Sequence, residues 1–100
     1  MTGSQFSTGR FVRVTGTVQG VNFRNSAKRQ ADELSLAGWV ANTDDGAVEL
    51  VVAGNATAVN SLVDWCHTGP QRAEVTGVQD REASDQQLAE LPGSGFQVRR

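Results

Sequence analysis

The sequence predicts an α+β sandwich, with strands and helices in the order β-α-β-β-α-β and both helices on one face of an antiparallel sheet. Three observations carry this prediction. Apolar residues alternate over residues 11–18, recur every three or four positions after residue 22, and then flank an Asp-Asp-Gly turn. A chain of 100 residues forms one domain with a single core.

The first half of the chain predicts a strand, a helix and a hairpin. The strand residues that share one face are Val12, Val14, Gly16 and Val18. The helix that follows has an apolar stripe formed by Phe23, Ala27, Ala31 and Leu34. Two strands over residues 38–43 and 47–53 join through Asp44-Asp45-Gly46, because an Asp-Gly pair tolerates the positive φ of a tight turn.

The second half predicts another helix and the closing strands. Asn55 is suited to cap a helix, and Gly69-Pro70 is suited to end it. The apolar stripe of this helix is Val59, Leu62, Val63 and Cys66. Residues 72–82 predict a strand, residues 83–95 a loop, and residues 96–99 a short fifth strand. The whole order is that of the ferredoxin-like split βαβ fold.

The amino-acid composition excludes several classes of function for this chain. Nine Lys and Arg residues against eleven Asp and Glu residues leave a net charge of −2, so no charge excess attracts nucleic acid or an anionic membrane. One cysteine, Cys66, excludes an intramolecular disulfide and a multi-cysteine zinc site, and fits a cytoplasmic location. We expect a flexible tail at residues 1–9, a domain at residues 10–100, and a monomer. A single histidine, His67, without a Cys/His cluster indicates no transition-metal site.

The first motif with chemical content spans residues 16–24, Gly-Thr-Val-Gln-Gly-Val-Asn-Phe-Arg. Gly16 and Gly20 allow a tight loop whose backbone N–H groups point into one concavity, at the start of a helix. Arg24 can bind two oxygens of an oxyanion at once. The motif therefore predicts a phosphoryl site, although a plain strand-to-helix turn with Arg24 in solvent explains the same glycines.

The second motif spans residues 38–46, Gly-Trp-Val-Ala-Asn-Thr-Asp-Asp-Gly. The amide of Asn42 can both accept from and donate to a water molecule. Alternatively, Asn42 and Thr43 only begin the turn, which is a common role for both residue types. Periodicity does not determine which end of this strand lies near the first loop.

Residues 14–24 and 38–46 together resemble the two signatures of the acylphosphatase family. Further similarities are Ala31, Leu34-Ser35-Leu36, Gly69-Pro70 and Ala73-Glu74-Val75, and the resemblance covers residues 10–100. It implies hydrolysis of the carboxyl–phosphate bond of small acyl phosphates, without metal or cofactor. Ser35 is a departure, because the family usually has a glycine at this position.

The resemblance also implies roles for individual residues. The phosphate-binding loop corresponds to Gln19, Gly20, Val21, Asn22, Phe23 and Arg24. Within it, Arg24 corresponds to the essential arginine. Asn42 corresponds to the asparagine that orients the attacking water, and Thr43 to a supporting threonine.

Two other functions share features with this sequence. A binding module could keep the anion pocket without catalysis, but it has no need of Asn42. RNA-recognition domains share the element order, but they use exposed aromatic residues on central strands in a basic setting, and this chain lacks that pattern. Among other residues, Cys66 is expected in the core and His67 at a helix end. Residue patterns do not show whether Arg99 or Arg100 reaches the site.

Overall fold

The computed structural model describes residues 8–92 and 95–99. The strands in them are β1 (Thr8–Thr17), β2 (Ala37–Asn42), β3 (Val48–Gly54), β4 (Glu74–Glu82) and β5 (Phe96–Val98). The helices are α1 (Phe23–Glu33), α2 (Ala56–Cys66) and α3 (Asp85–Ala89). The predicted ferredoxin-like order is confirmed, and so is the short fifth strand. Residues 1–7 of the expected tail lie outside the described residues, whereas Thr8 and Gly9 already belong to β1, paired with Gly54 and Ala53.

The strands form one five-stranded sheet in the order β4-β1-β3-β2-β5. β3 pairs antiparallel with β1 on one side and with β2 on the other. β1 and β2 therefore run in the same direction, connected by α1 as a crossover. As a result, the C-terminal ends of β1 and β2 lie at the same edge of the sheet.

β5 makes the sheet mixed rather than wholly antiparallel. It pairs parallel with β2, in a register that places Phe96 opposite Gly38 and Val98 opposite Val40. Because β5 runs with β2, its C-terminal end also lies at the edge where β1 and β2 end. The other four strands pair antiparallel as predicted.

Both long helices pack on one face of the sheet, as predicted. Phe23, Ala27 and Ala31 of α1 are buried in the same cluster as the apolar stripe of α2. The strand residues in that cluster are Val12, Val14, Val40, Val48, Leu50, Val52 and Phe96. Complete burial of a side chain such as Leu62 stabilises the fold by about 1.5–3 kcal/mol.

The start of α2 is as the sequence predicts. Asn55 Oδ1 accepts hydrogen bonds from the backbone N–H groups of Thr57 and Ala58, at 2.9 and 3.3 Å. These bonds satisfy two of the donors that a helix start leaves without partners.

Cys66 is buried in the core, and burial raises the pKa of its thiol to about 12. The thiolate, which is the reactive form, is therefore strongly disfavoured.

α3 lies within residues 83–95, for which a loop was predicted. Its start is a capping box: Gln87 N donates to Ser84 Oγ at 3.1 Å, and Ser84 N donates to Gln87 Oε1 at 2.8 Å. The Ser-x-x-Gln spacing of the capping box could have indicated a helix start. The helix was missed because its five residues are too few to show an apolar stripe.

The sheet face away from α1 and α2, which we call the far face, carries two aromatic residues beneath arginines. The Cζ atom of Arg81 lies 4.4 Å from the ring centroid of Phe11, and that of Arg99 lies 4.9 Å from the ring centroid of Trp39. The indole Nε1 of Trp39 is buried without a hydrogen-bond partner among the described residues. Within residues 8–92 and 95–99, none of the helices has the length and hydropathy of a membrane span.

The end of α1 places Ser35 in a conformation that glycine adopts more easily. Leu36 N donates to Ala31 O at 2.9 Å and Ser35 N donates to Asp32 O at 3.1 Å, which together make a Schellman motif. Ser35 has a φ of 58° in the left-handed region. A side chain with a Cβ is strained there.

We expect Ser35→Gly to raise the free energy of unfolding by about 0.5–1 kcal/mol, because relief of the left-handed strain exceeds the added unfolded-state entropy. Urea denaturation measures this change. Ser61→Gly inside α2 is the matched control and should instead destabilise by about 0.5–1 kcal/mol. Equal destabilisation by both substitutions would contradict the strain at residue 35.

Candidate active site

The sheet topology brings the two sequence motifs together. Residues 18–22 follow β1, and Asn42 is the last residue of β2. Because these two strands are parallel and separated only by β3, the loop and Asn42 meet at one edge. This is the relation between the motifs that residue patterns did not determine.

A cavity of about 210 Å³ lies between the loop, the start of α1 and the end of β2. Its lining residues are Val18, Gly20, Asn22, Phe23, Arg24, Asn25 and Asn42. It thus contains Arg24 and Asn42 together. Gln19, Val21 and Thr43 do not line it, and Val21 packs against the core instead. Val18 and Asn25 line it without having been predicted as site residues.

The loop depends on backbone conformations that few residues accept. A Cβ on Gly16 would lie 2.1 Å from the carbonyl oxygen of Glu74, at the irregularity where β1 pairs with β4. Gly20 has a φ of 78° and Asn22 a φ of 68°, both left-handed. Left-handed residues of this kind turn successive backbone N–H groups toward one side, a geometry that binds anions.

The first turn of α1 has no side-chain cap. Asn22 stands at the N-cap position, but its Oδ1 accepts a hydrogen bond from Asn25 Nδ2 at 3.0 Å rather than from a backbone N–H. A helix start without a cap presents free N–H donors and a partial positive charge. These donors lie beside the cavity, where an anion would satisfy them.

Arg24 lies in this first turn and is half-buried. Its Nη1 donates to the carbonyl oxygen of Arg99 at 2.7 Å, just beyond the end of β5. A guanidinium has five N–H donors, so this contact leaves most of them for a ligand. The role of Arg99 could not be found from the sequence, because nothing in it showed that β5 lies beside β2. Arg100 lies outside the described residues.

Asn42 is half-buried and pairs with Val48 across the hairpin. Its side-chain amide makes no hydrogen bond to the described part of the chain. The amide therefore has both a donor and an acceptor available at the cavity.

Gln19 and Thr43 hold the loop against the hairpin. Gln19 Nε2 donates to the carbonyl oxygens of Thr43 and Ala47, each at 2.8 Å. Thr43 Oγ1 accepts from Ala47 N at 3.0 Å and donates to Asp45. The Gln19 side chain is thus directed at the turn rather than at the cavity, and it ties together the two segments that carry Arg24 and Asn42.

Charges near the site are arranged around the same turn. Arg13 on β1 pairs with Glu49 at 2.9 Å and with Asp45. The pKa of Asp45 is lowered, first by the hydrogen bond from Thr43 and then by that from Arg13, and the pKa of Arg13 is raised by its two carboxylate partners. Among residues 8–92 and 95–99, no group of three His, Cys, Asp or Glu side chains is placed to hold a metal ion.

The comparisons with known proteins agree with one another. Residues 10–98 match the family model described as Acylphosphatase. The chain belongs to the acylphosphatase family. The resemblance carried by the two sequence motifs is therefore confirmed, as is the prediction of an acylphosphatase-type enzyme.

Individual members of the family match most of the chain. An acylphosphatase of Rubrobacter xylanophilus is 48% identical over 88 residues, covering 88% of this chain and 76% of that protein. An acylphosphatase structure from Coxiella burnetii has a TM-score of 0.82 at 40% identity and covers 92% of each chain. The crystal structure of acylphosphatase from Bacillus subtilis has a TM-score of 0.80 at 34% identity, covering 92% of this chain and 98% of that one.

Replacing Gln19 with Leu should loosen the loop from the hairpin. We expect the loss of two side-chain hydrogen bonds to lower the free energy of unfolding by about 1–2 kcal/mol and to weaken binding of inorganic phosphate. Urea denaturation and phosphate titration measure the two effects. Gln79→Leu, on the exposed part of β4, is the control and should leave phosphate binding unchanged. Unchanged phosphate binding in Gln19→Leu would contradict a link between the turn and the cavity.

The lowered pKa of Asp45 predicts a pH-dependent contribution to stability. The carboxylate stabilises the fold above the ordinary aspartate pKa of about 3.9, and this stabilisation is lost as the pH falls through the lowered folded-state pKa. Asp45→Asn should therefore be less stable than the wild type at pH 6, with a difference that shrinks toward pH 2. Denaturant unfolding at several pH values tests this, with Asp44→Asn as the control. A difference that does not depend on pH would contradict it.

Proposed function

We propose that this chain hydrolyses the carboxyl–phosphate bond of small acyl phosphates to a carboxylate and inorganic phosphate. The observation that carries the proposal is the presence of Arg24 and Asn42 in one cavity at the uncapped start of α1. Membership of the acylphosphatase family supports the same reaction.

The loop and Arg24 would bind the phosphoryl group. Backbone N–H groups of residues 19–24 supply donors for the equatorial oxygens, and the guanidinium adds charge-assisted hydrogen bonds. Catalysis of phosphoryl transfer depends mainly on such positioning and charge stabilisation. Of the proposed loop, Gly20, Asn22, Phe23 and Arg24 line the cavity, whereas Gln19 and Val21 would act through their backbone alone.

Asn42 would place the attacking water. Its free amide can accept from one water hydrogen and donate to another group, which holds the water in line with the departing carboxylate. The water oxygen forms a bond to phosphorus as the bond between phosphorus and the carboxylate oxygen breaks. The bonding electrons leave with the carboxylate, and a phosphate oxygen takes the water proton.

This scheme needs neither a strong base nor a covalent nucleophile, because a carboxylate departs readily. Thr43 has a supporting role, since it shapes the turn next to Asn42. We further propose that the protein acts as a cytoplasmic monomer, without metal or cofactor, and that the small cavity limits it to small acyl phosphates.

Two variants test the roles of the residues. Asn42→Ala should lower kcat for acetyl or benzoyl phosphate by about 100-fold or more, while phosphate still binds, because only water placement is lost. Arg24→Gln should lose both turnover and phosphate binding. The matched controls are Asn60→Ala on the surface of α2 and Arg29→Gln on α1, and both should remain fully active.

The assay is run in the presence of a chelator, with circular dichroism to verify folding. Full turnover by Asn42→Ala or Arg24→Gln would contradict the proposed site. Phosphate binding by the wild type without any turnover would instead identify the chain as a phosphate-binding module.

A further inference from the structure

The residue that follows β5 connects the candidate active site to the far face of the sheet. Arg99 N donates to the carbonyl oxygen of Val40 at 2.7 Å, so its backbone is held against β2. Its own carbonyl oxygen accepts from Arg24 Nη1 at 2.7 Å. Its guanidinium lies over the ring of Trp39, with Cζ 4.9 Å from the ring centroid.

This arrangement follows from the alternation of a strand. Phe96 faces the helices and is buried in the core, so the side chain of residue 99 is directed to the opposite face, where Trp39 lies. The backbone carbonyl of Arg99 remains at the edge where α1 begins. One residue therefore contacts the Trp39 ring with its side chain and Arg24 with its backbone.

In the part of the chain that the structure describes, few other contacts restrain Arg99. β5 is only three residues long and ends at Val98, which leaves Arg99 beyond the strand. Among the described residues, its backbone N–H donates only to Val40 and its carbonyl oxygen accepts only from Arg24, while its side chain is exposed except where it covers the Trp39 ring. A cation over an aromatic ring is attracted by the negative face of that ring, and the contact thus restrains the position of the Arg99 carbonyl.

We propose that Trp39 and Arg99 are positioning residues for Arg24. Their contact on the far face holds the Arg99 carbonyl in place, and this carbonyl holds the Arg24 guanidinium at the cavity before the anion arrives. An arginine side chain loses much conformational freedom when it is ordered, so a guanidinium that is already held binds an anion more tightly. The inference rests on the proposed function in assigning the anion to Arg24.

The far face itself offers a matched control. Arg81 lies over Phe11 in the same kind of contact, with Cζ 4.4 Å from the ring centroid. This contact is on the same face of the sheet, but at the opposite edge from β5. Arg81→Gln and Arg99→Gln remove comparable interactions from exposed arginines. Only the second substitution should affect Arg24.

The first measurement is the affinity for inorganic phosphate by calorimetric titration. Arg99→Gln should weaken binding by about two- to five-fold, the size expected for an exposed cation–aromatic contact. Arg99→Lys, which keeps the cation, should recover part of the loss, and Arg81→Gln should bind as the wild type does. Trp39→Leu should bind phosphate about as weakly as Arg99→Gln does. Trp39→Phe keeps a ring, so its affinity should lie between those of Trp39→Leu and the wild type.

The second measurement follows Arg24 directly, by NMR relaxation of its Nε–H group without phosphate. The group should be more mobile in Arg99→Gln than in the wild type, and unchanged in Arg81→Gln. If Arg99→Gln leaves both phosphate affinity and Arg24 mobility unchanged, the positioning role is refuted. Weaker binding without a change in Arg24 mobility also refutes it, since Arg99 would then act on the anion itself.

Failure of the proposed function is distinguishable from failure of this inference. A wild type that binds phosphate but hydrolyses no acyl phosphate contradicts the reaction, yet the affinity and mobility measurements still decide the positioning role. An active wild type whose Arg99→Gln variant is unchanged in both measurements contradicts the positioning role alone.

Discussion

The insertion of β3 between β1 and β2 is the constraint on which the site depends. Because β3 is antiparallel to both neighbours, the two strands end at the same edge, and each contributes one functional segment there. β1 leads into the loop and the start of α1, which carries Arg24. β2 ends in Asn42. The side chains of β3 that face the helices are buried, so this central strand cannot shift without disrupting the core.

At the edge where β1 and β2 end, the loop and the hairpin are held by side-chain hydrogen bonds rather than by burial. Gln19 joins the loop to the carbonyl oxygens of the hairpin, and Thr43 closes the turn. The start of α1 keeps its backbone donors uncapped because the Asn22 side chain bonds to Asn25 instead. The left-handed conformation of Asn22 and the uncapped donors of α1 are costs of this edge, and binding of an anion, as proposed, would offset them.

Stability and chemistry are separated within the molecule. The core between the helices and the sheet contains the only cysteine of the chain, whose thiol is kept neutral by burial. His67 directly follows α2, with its Nδ1 3.1 Å from the carbonyl oxygen of Val63, and it does not line the cavity. The polar side chains that line the cavity are those of Arg24 and of three asparagines, Asn22, Asn25 and Asn42. Such groups can hold an anion and orient a water molecule, and the proposed reaction requires no general acid or base among them.

Residue patterns were enough to predict the β-α-β-β-α-β order, the apolar stripes of α1 and α2, the Asn55 cap and the two motifs, because each depends on neighbouring residues or on a local period. It did not reveal α3, whose five residues form too short a helix for a stripe, or the parallel partner of β5. The folded chain was needed to show that Arg24 and Asn42 share a cavity, that Asn25 lines it, and that the Arg99 carbonyl contacts Arg24. These relations join residues far apart in the chain. They depend on strand order and direction, which no local pattern specifies.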